Sequence, residues 1–311
     1  MAEKLFYVLS DFFLPLLVGY YLRKSHKMSE TACNWLVRFN IIVFGTLLSV
    51  LSFWTLPLNW QLMWLPLFGI LLSLIPGAAA YPFKRTATGH FRGSYLGCAM
   101  LSNIGLLGGL CAFFLYGEQG FAYIQIMALF QNLVFFLVCF PMADYFRRRD
   151  DGEAKKGDIA WRSLFLNWNQ LPVAGLMVGM VLYGMSVPRP PLLGDFFAAT
   201  IHISTWAALL PAGYSIRFSQ MQQYYKTATG LIPIKFILTP LAAYALAQGI
   251  FSDSVILGSI LIGASVPTGI NAIILARLYD LNLPLAGAAF FVTTLFFLFL
   301  VYPLLFWGLH S

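Results

Sequence analysis

Long apolar runs, separated by short polar segments, follow one another along almost the whole chain. A helix that crosses a bilayer needs about 20 mainly apolar residues, and each of these runs is long enough. The pattern predicts ten membrane-spanning helices, at residues 5–22, 33–54, 62–82, 94–116, 121–143, 165–187, 194–215, 227–250, 254–277 and 284–308. The predicted fold class is therefore an all-α polytopic membrane protein.

The composition agrees with that class, because 59% of the 311 residues are hydrophobic and 10% are charged, against roughly 45–50% and about 25% in soluble domains. A net charge of +7 would suit a nucleic-acid partner, but the basic residues stand in short loops where membrane topology explains them better. We therefore expect the lipid bilayer, and no nucleic acid, as a partner. The four cysteines lie in apolar segments without metal-ligand spacing, so we expect free thiols and no metal site.

The distribution of lysine and arginine predicts the orientation. Sixteen of these 19 residues fall in alternate loops on one side, two fall on the other, and Lys235 lies inside a span. By the positive-inside rule the first side is cytoplasmic, which puts both termini outside a plasma or inner membrane. The longest loop, 145–164, is a predicted cytoplasmic linker between two five-span halves, 1–144 and 165–311.

The two halves share sequence features at matching distances. Pro141 in the fifth span and Pro303 in the tenth are 162 residues apart, and a polar pair precedes each proline at the same offset. A unit of five spans inserts upside down relative to its copy, and inverted repeats are the architecture of many secondary transporters. The pattern therefore predicts two inverted five-helix repeats.

The fourth and ninth spans are interrupted near their midpoints by glycine, proline and polar residues, at 102–109 and 265–271. Backbone groups freed by such a break cannot face lipid. Paired breaks at matching positions are therefore the best sequence indication of a transporter binding site. The alternative is an ordinary proline kink, with the glycines serving close helix packing.

Three segments resemble parts of a known family: residues 14–24 (LPLLVGYYLRK), 102–108 (SNIGLLG) and 264–279 (ASVPTGINAIILARLY). They are similar to segments of the auxin efflux carrier family, which contains plant PIN auxin carriers and bacterial permeases associated with malate, malonate and other organic anions. The resemblance implies a fold related to bile acid/sodium symporters, in which the broken fourth and ninth spans cross at the midplane. It also implies a scaffold of spans 1, 2, 6 and 7, a transport domain of spans 3–5 and 8–10, and a homodimer formed through scaffold helices.

Two departures from the family pattern bear on the substrate. Family members usually carry a proline midway along the second span, where this chain has residues 44–46 (FGT). They commonly have Gly-Leu-Pro after the fourth-span break, where this chain has residues 108–110 (GGL). These differences concern the shape of the pocket and hardly affect the fold.

The crossing point of the broken spans is the predicted substrate site. A helix that begins at a break offers unpaired N–H groups and the positive end of its dipole, which together can hold a carboxylate. We expect substrate contact from Asn103, Gly105, Thr268, Gly269 and Asn271, with Pro267 holding the break open. Further candidates are the polar pairs Gln131-Asn132 and Thr293-Thr294, and Asn40, which matches the family pattern in the second span. For the two pairs, adhesion between helices is the alternative interpretation.

Three ionisable residues inside spans are candidates for ion coupling. One interpretation of Lys235 is that it attracts or balances an anion. The alternative is that its long side chain snorkels to the membrane interface. His202 is able to carry a proton near neutral pH, or else to stay neutral in a hydrogen bond between helices. Asp11 is able to carry a proton or bind a cation, or else lies near the exterior interface.

The sequence does not match the motifs of other protein classes that its glycines and charged residues suggest. Residues 152–157 have half the spacing of a phosphate-binding loop, but Asp158 stands where lysine is required. Gly175 and Gly179 fit the GxxxG pattern, which indicates a close helix contact within the fold or between protomers.

We expect a secondary transporter for a small organic anion, not an enzyme, with no cofactor beyond H⁺ or Na⁺ as coupling ion. The alternatives are a sodium-coupled anion symporter and a membrane sensor that binds the same ligand.

Overall fold

The computed structural model describes residues 2–57, 60–84, 86–151, 171–215 and 218–310. Within these ranges the chain is almost entirely helical. The one extended pairing in this part of the chain is an isolated antiparallel bridge between Ser102 and Thr268. The predicted all-helical class is confirmed.

Sixteen α-helices, several of them joined by a turn of π-helix or 3₁₀-helix, make up the described ranges. They are α1 (Ala2–Lys24), α2 (Glu30–Phe39), α3 (Thr46–Trp54), α4 (Leu65–Ala80), α5 (Gly89–Met100), α6 (Gly109–Val134), α7 (Phe140–Asp151), α8 (Leu171–Gly184), α9 (Leu192–Ser215), α10 (Phe218–Met221), α11 (Tyr225–Thr229), α12 (Thr239–Gln248), α13 (Ser254–Ala264), α14 (Ile270–Leu278), α15 (Leu283–Phe296) and α16 (Tyr302–His310). Turns of π-helix lie at Asn40–Gly45, Ile104–Gly108, Phe135–Cys139, Ile234–Leu238 and Phe297–Val301, and 3₁₀ turns lie at Trp60–Trp64 and Gln222–Tyr224.

Several helices in the described ranges are long and apolar enough to cross a membrane. Five continuous helical stretches meet this criterion by length and composition: Glu30–Trp54, Trp60–Ala80, Ile104–Asp150, Leu192–Ser215 and Leu283–Leu309. A sixth candidate is a pair bent by 52°, Ser219–Thr229 with Ile234–Gln248. Helices α8 and α13 are apolar but shorter. The described chain is therefore a membrane-embedded helical protein.

Helix α6 is interrupted between residues 116 and 121, which separate the predicted fourth and fifth spans. Gly117, at φ 64° and ψ −152°, is non-helical, and two helical segments meet at a kink there. This backbone conformation is readily adopted only by glycine. The structure differs from the predicted linker 145–164 at its start, because α7 continues as a helix to Asp151. The rest of that linker, and residues 165–170 of the predicted sixth span, lie outside the described residues.

The described residues form two compact units. Unit 1 takes its residues from 1–58, 116–122 and 159–216, and unit 2 takes them from 59–115, 123–158 and 217–311. Unit 1 therefore contains α1–α3, α8 and α9, together with the short stretch around Gly117. Unit 2 contains α4, α5, α7, α10–α16 and the rest of α6.

In unit 1, α1 packs side by side with α9. Glycines make the approach close, because a Cβ at Gly19 would collide with the backbone of Leu210, and one at Gly213 would collide with Leu16. Asp11 contacts His202 in the first halves of the two helices, and the glycine contacts join their second halves, so the helices run in the same direction. Small residues allow this backbone-to-backbone packing.

The second helix pair of unit 1 is α3 with α8, and here the GxxxG glycines are used. A Cβ at Gly175 would lie 2.6 Å from Thr46 O, and one at Gly179 would lie 2.6 Å from Val50 O. Of the two interpretations of this motif, the structure shows the contact within the fold. Trp54 Nε1 also donates to Val187 O at 2.8 Å, just beyond the end of α8.

An ion pair fixes the stretch 116–122 within unit 1. Arg189 binds Glu118 through both guanidinium nitrogens, and its Nη2 lies 2.8 Å from Glu118 Oε1. Arg189 also donates to Leu51 O at 2.9 Å. Phe121 and Phe197 pack edge to face beside it, with ring centroids 5.3 Å apart.

Unit 2 is built around equally close helix contacts. Helix α4 approaches α6 at Gly69, where a Cβ would collide with Met127 O, and approaches α5 at Gly77, where a Cβ would lie 2.6 Å from Met100 Cγ. The N-terminus of α13 is capped by Asp253, whose Oδ1 accepts the N–H groups of residues 255 and 256. Such caps satisfy N–H groups that a helix cannot bond internally.

All four cysteines are buried and free. Cys33 lies in unit 1, and Cys98, Cys111 and Cys139 lie in unit 2. Their thiols are packed among helix side chains, away from solvent.

Candidate functional site

The two chain breaks meet inside unit 2. Asn103 N donates to Pro267 O at 2.8 Å, and Gly269 N donates to Leu101 O at 2.8 Å. These bonds form the antiparallel bridge that is centred on Ser102 and Thr268. We call the paired stretches 101–103 and 267–269 the crossover.

The local sequence explains why the helices stop at the crossover. Leu101 is extended, with φ −94° and ψ 97°, so α5 ends at Met100, and Pro267 follows closely after the end of α13. A Cβ on Gly269 would lie 3.0 Å from Ser102 C and O, which is tighter than ordinary van der Waals contact, so glycine favours this close approach of the two chains. The next helical segments then begin at Ile104 and Ile270, directly after the bridge.

Two threonines fasten the crossover to its neighbours. The Thr268 hydroxyl donates to Cys98 O at 3.0 Å, and the Thr268 N–H donates to Thr293 Oγ1 at 3.1 Å. Thr293 in turn donates to Ala289 O on its own helix α15. Both threonines are fully buried, so these bonds replace water that cannot reach the site.

A buried cation lies against the crossover. Lys235, in the π turn before α12, is only 1% exposed, and its Nζ donates to Ser102 Oγ at 2.8 Å. No carboxylate among the described residues forms an ion pair with it. The snorkelling alternative is therefore wrong, because the ammonium group points into the unit and not to the interface.

Three buried polar groups, one in the crossover and one each on α6 and α15, have no hydrogen-bond partner among the described residues: Asn103 Nδ2, Gln131 Nε2 and Thr294 Oγ1. Buried polar atoms are nearly always paired, so each orphan needs an explanation, such as a ligand that the structure does not contain. Gln125 provides a contrast, since its Nε2 donates to Gly105 O at 2.9 Å.

The other sequence candidates lie at different places. Asn271 is half-buried in the first turn of α14, and Asn132 is half-buried in α6. The residues at the crossover itself are thus Asn103, Pro267, Thr268 and Gly269, with Gly105 one residue into the following π turn. Asn40 belongs to unit 1, where it is buried with Oδ1 unpaired.

Unit 1 brings together two of the proposed coupling residues. His202 Nδ1 contacts Asp11 Oδ2, and Trp206 Nε1 donates to Asp11 Oδ1 at 3.2 Å. Asp11 is buried and stands on α1, whereas His202 and Trp206 are one turn apart on α9. Asp11 is thus held between helices.

No protein-family model matches the chain, and no curated protein matches it.

Sequence reasoning missed three contributors to these sites. Ser102 stands in the break, but nothing in its position along the chain identifies it as the acceptor for Lys235, 133 residues away. Gln125 and Trp206 look like ordinary members of apolar helices. One available signal was the helical spacing of Trp206, which places it on the same face as His202.

The arrangement in unit 2 is suited to an anion. A buried ammonium group, two unpaired amide donors and the open first turn of α14 all present hydrogens or positive charge. Gly269 caps α14 without a side-chain hydrogen bond, so the first N–H groups of that helix lack a side-chain acceptor. A carboxylate supplies acceptors that match these donors.

Proposed function

We propose that this protein is a secondary transporter that moves a small organic anion, such as a mono- or dicarboxylate, across the cytoplasmic membrane by alternating access. The observation that carries the proposal is the buried Lys235 ammonium group bonded to Ser102 at the crossover. The proposed substrate site consists of Lys235 with Asn103, Gln131, Thr294 and the start of α14.

The electrostatics of Lys235 support an anionic ligand. Taking a cation out of water costs several kcal/mol, and a neutral hydroxyl returns only part of that. A carboxylate beside Nζ would offset much of the remaining cost. The unpaired donors of Asn103 and Gln131 would bond the same carboxylate, which would satisfy all three groups at once.

The same proposal includes the arrangement of the spans. The protein would have ten membrane spans in two inverted five-helix repeats, as in the auxin efflux carrier family. Two features support it. The π turns Phe135–Cys139 and Phe297–Val301 are 162 residues apart, which is the offset between the repeated sequence features. The helix pairs α1–α9 and α3–α8 are both parallel, and both are packed through glycine. An inverted repeat requires this similarity, because the symmetry that relates the two halves turns one helix pair into the other.

The division into two units suggests how the transporter works. We assign the scaffold to unit 1 and the moving transport domain to unit 2, which contains the whole crossover. Both termini would lie outside and residues 145–164 would lie in the cytoplasm, by the charge distribution. A homodimer through unit 1 would cover apolar side chains exposed on α8, such as Met177 and Val181.

The test is charge movement by purified protein in proteoliposomes on solid-supported membranes. Malate, malonate, other carboxylates and indole acetate are added with and without sodium. We expect a carboxylate-dependent current in the wild type that persists without sodium and is lost in Lys235→Met and in Asn271→Ala. A strict sodium requirement would instead indicate sodium-coupled symport.

A matched lysine controls for the loss of charge. Lys226 on α11 is exposed, so Lys226→Met should leave the current unchanged. Methionine at 235 fills a buried site with an apolar side chain of similar length, so the variant should remain folded. If Lys235→Met carries the same current as the wild type, the proposed site is wrong. If a carboxylate binds but produces neither current nor uptake, the alternative that the protein is a membrane sensor would be favoured.

A further inference from the structure

We propose that the site at the crossover binds anions that carry a single negative charge, so that a dicarboxylate binds there with one of its carboxyl groups protonated. This inference deepens the proposed function and rests on it for the identity of the site. It follows from the charge of Lys235, which is 1% exposed and whose Nζ donates to Ser102 Oγ at 2.8 Å.

The acidic side chains that the structure describes in unit 2 are engaged at helix ends and turns. Asp253 caps the N-terminus of α13, and Asp150 accepts the N–H of residue 90 at the start of α5. Asp144 pairs with two arginines of its own helix, α7, and Asp280 is exposed in the turn between α14 and α15. None of these four carboxylates forms an ion pair with Lys235, so the described part of unit 2 does not neutralise the ammonium group.

The other described cations of unit 2 stand in turns or near helix ends. Arg92 lies eight residues before α5 ends at Met100, about 12 Å along the helix axis, and its guanidinium group covers the rings of Tyr81 and Phe146. Arg277 is exposed, seven residues after the start of α14, about 10 Å along that axis. The remaining basic side chains are at positions 84, 90, 147–149 and 226. The described part of unit 2 therefore brings one cation to the crossover.

One positive charge sets a limit on the charge of the ligand. A first carboxylate beside the ammonium group makes the site neutral. A second carboxylate would enter as a buried negative charge without a partner, which is costly away from water. Protonation of that second group removes the charge. The proton comes from water and adds to one carboxylate oxygen, and no other bond changes.

The surroundings of the site suit a neutral group in that second position. The amide donor of Asn103 and the hydroxyl of Thr294 are buried and unpaired, and both are uncharged. A hydroxyl is able to accept a hydrogen bond from a protonated carboxyl group. Leu101, Ile104 and Val266, which flank the crossover, are each 0% exposed, so water is not at hand to solvate a second charge.

The experiment compares ligands of matched shape and different charge on the purified wild-type protein. Malonate and succinate are tested against their monomethyl esters, at a pH at which every free carboxyl group is ionised. We expect each monoester to bind roughly tenfold or more tightly than its dicarboxylate. The neutral dimethyl esters should not bind. The rise in melting temperature with ligand concentration measures binding, and the concentration for half-maximal current measures it independently.

Variants at Ser102 test the role of the single cation. Ser102→Asp places a carboxylate beside Lys235 Nζ, so the site is already neutral and should no longer bind a monoester. Ser102→Asn has the same size and an acceptor oxygen but no charge, so a monoester should still raise its melting temperature. Gln222→Asp adds the same charge at an exposed position of unit 2 and should respond as the wild type does. Size-exclusion profiles identify the folded variants.

The outcomes separate this inference from the transport proposal. Dicarboxylates that bind as tightly as their monoesters, or more tightly, overturn the single-charge limit and leave transport intact. A folded Ser102→Asp variant that binds monoesters like Ser102→Asn overturns it as well. Preferential binding of monoesters without current or uptake of any carboxylate supports the limit and overturns the transport function. If no member of the series binds or gives a current, both proposals are wrong.

Discussion

Thr293 and Thr294 are neighbours on α15, but only Thr293 is bonded into the crossover. Its hydroxyl accepts the buried N–H of Thr268 at 3.1 Å and donates to Ala289 O. Thr294 is equally buried, yet its hydroxyl has no partner among the described residues. The two positions therefore allow a structural role to be tested separately from the proposed role in binding.

Replacing each threonine by valine tests this separation. Thr293→Val leaves the Thr268 N–H buried without an acceptor, so the free energy of unfolding should fall by about 1–3 kcal/mol. Thr294→Val removes an unpaired hydroxyl, so stability should stay the same or rise while carboxylate transport falls. Thermal unfolding in detergent and uptake in proteoliposomes measure the two effects. Equal loss of stability in both variants would contradict the assignment.

Two glutamines on α6 give a second matched pair. Gln125 donates to Gly105 O at 2.9 Å, whereas Gln131 is buried with Nε2 unpaired. Gln125→Met should lower the unfolding free energy by about 1 kcal/mol, because it removes a hydrogen bond to the backbone. Gln131→Met should cost no stability but should weaken carboxylate binding, measured as the concentration for half-maximal current. Unchanged binding in Gln131→Met would remove this residue from the proposed site.

Ser102 is the partner of Lys235, and its removal should be visible as a change in ligand response. In Ser102→Ala the buried ammonium group loses its acceptor, which should lower the unfolding free energy by about 1–3 kcal/mol. Added carboxylate should then raise the melting temperature more than it does in the wild type, because the anion replaces the lost partner. Ser265→Ala is the control, since among the described residues that hydroxyl bonds Leu261 O, on the helix that Ser265 directly follows. A ligand shift identical to the wild type would argue against an anion beside Lys235.

The GxxxG glycines of α8 predict a loss of stability that does not depend on oligomerisation. Gly175→Ala and Gly179→Ala each put a methyl group 2.6 Å from a carbonyl oxygen of α3, so each should destabilise unit 1 by about 1–3 kcal/mol. Gly184→Ala, at the end of the same helix, meets nothing within 4 Å and should be neutral. Thermal unfolding at several protein concentrations is the measurement. If the effect of Gly175→Ala disappears on dilution, the contact lies between protomers.

The positions of the breaks could be read from the sequence, because proline, glycine and polar residues interrupt a helix locally. The helices stop at Met100 and Ala264, two residues and one residue before the predicted interruptions. The contacts made at those breaks could not be read in the same way. Lys235 and Ser102 are 133 residues apart, and only the packing of their helices brings them together.

The same limit applies to the ionisable residues. Hydropathy gives the depth of a residue in a span but not the face on which its side chain lies. The sequence position of Lys235 is therefore compatible with both snorkelling and burial, and the structure shows that the side chain is buried. Asp11 and His202 were separate candidates on spans 191 residues apart, and their pairing depends on the close approach of α1 to α9 through Gly19 and Gly213.

The crossover is aligned by peptide groups, through Asn103 N to Pro267 O and Gly269 N to Leu101 O. Every amino acid except proline supplies such an N–H, so the alignment tolerates exchange of the side chain at position 103. The unpaired groups of Gln131 and Thr294 likewise contribute no bond to the fold. Substitutions at these three positions, in evolution or in a combinatorial library, can therefore change the ligand preference of the proposed site while the crossing of the chains stays the same.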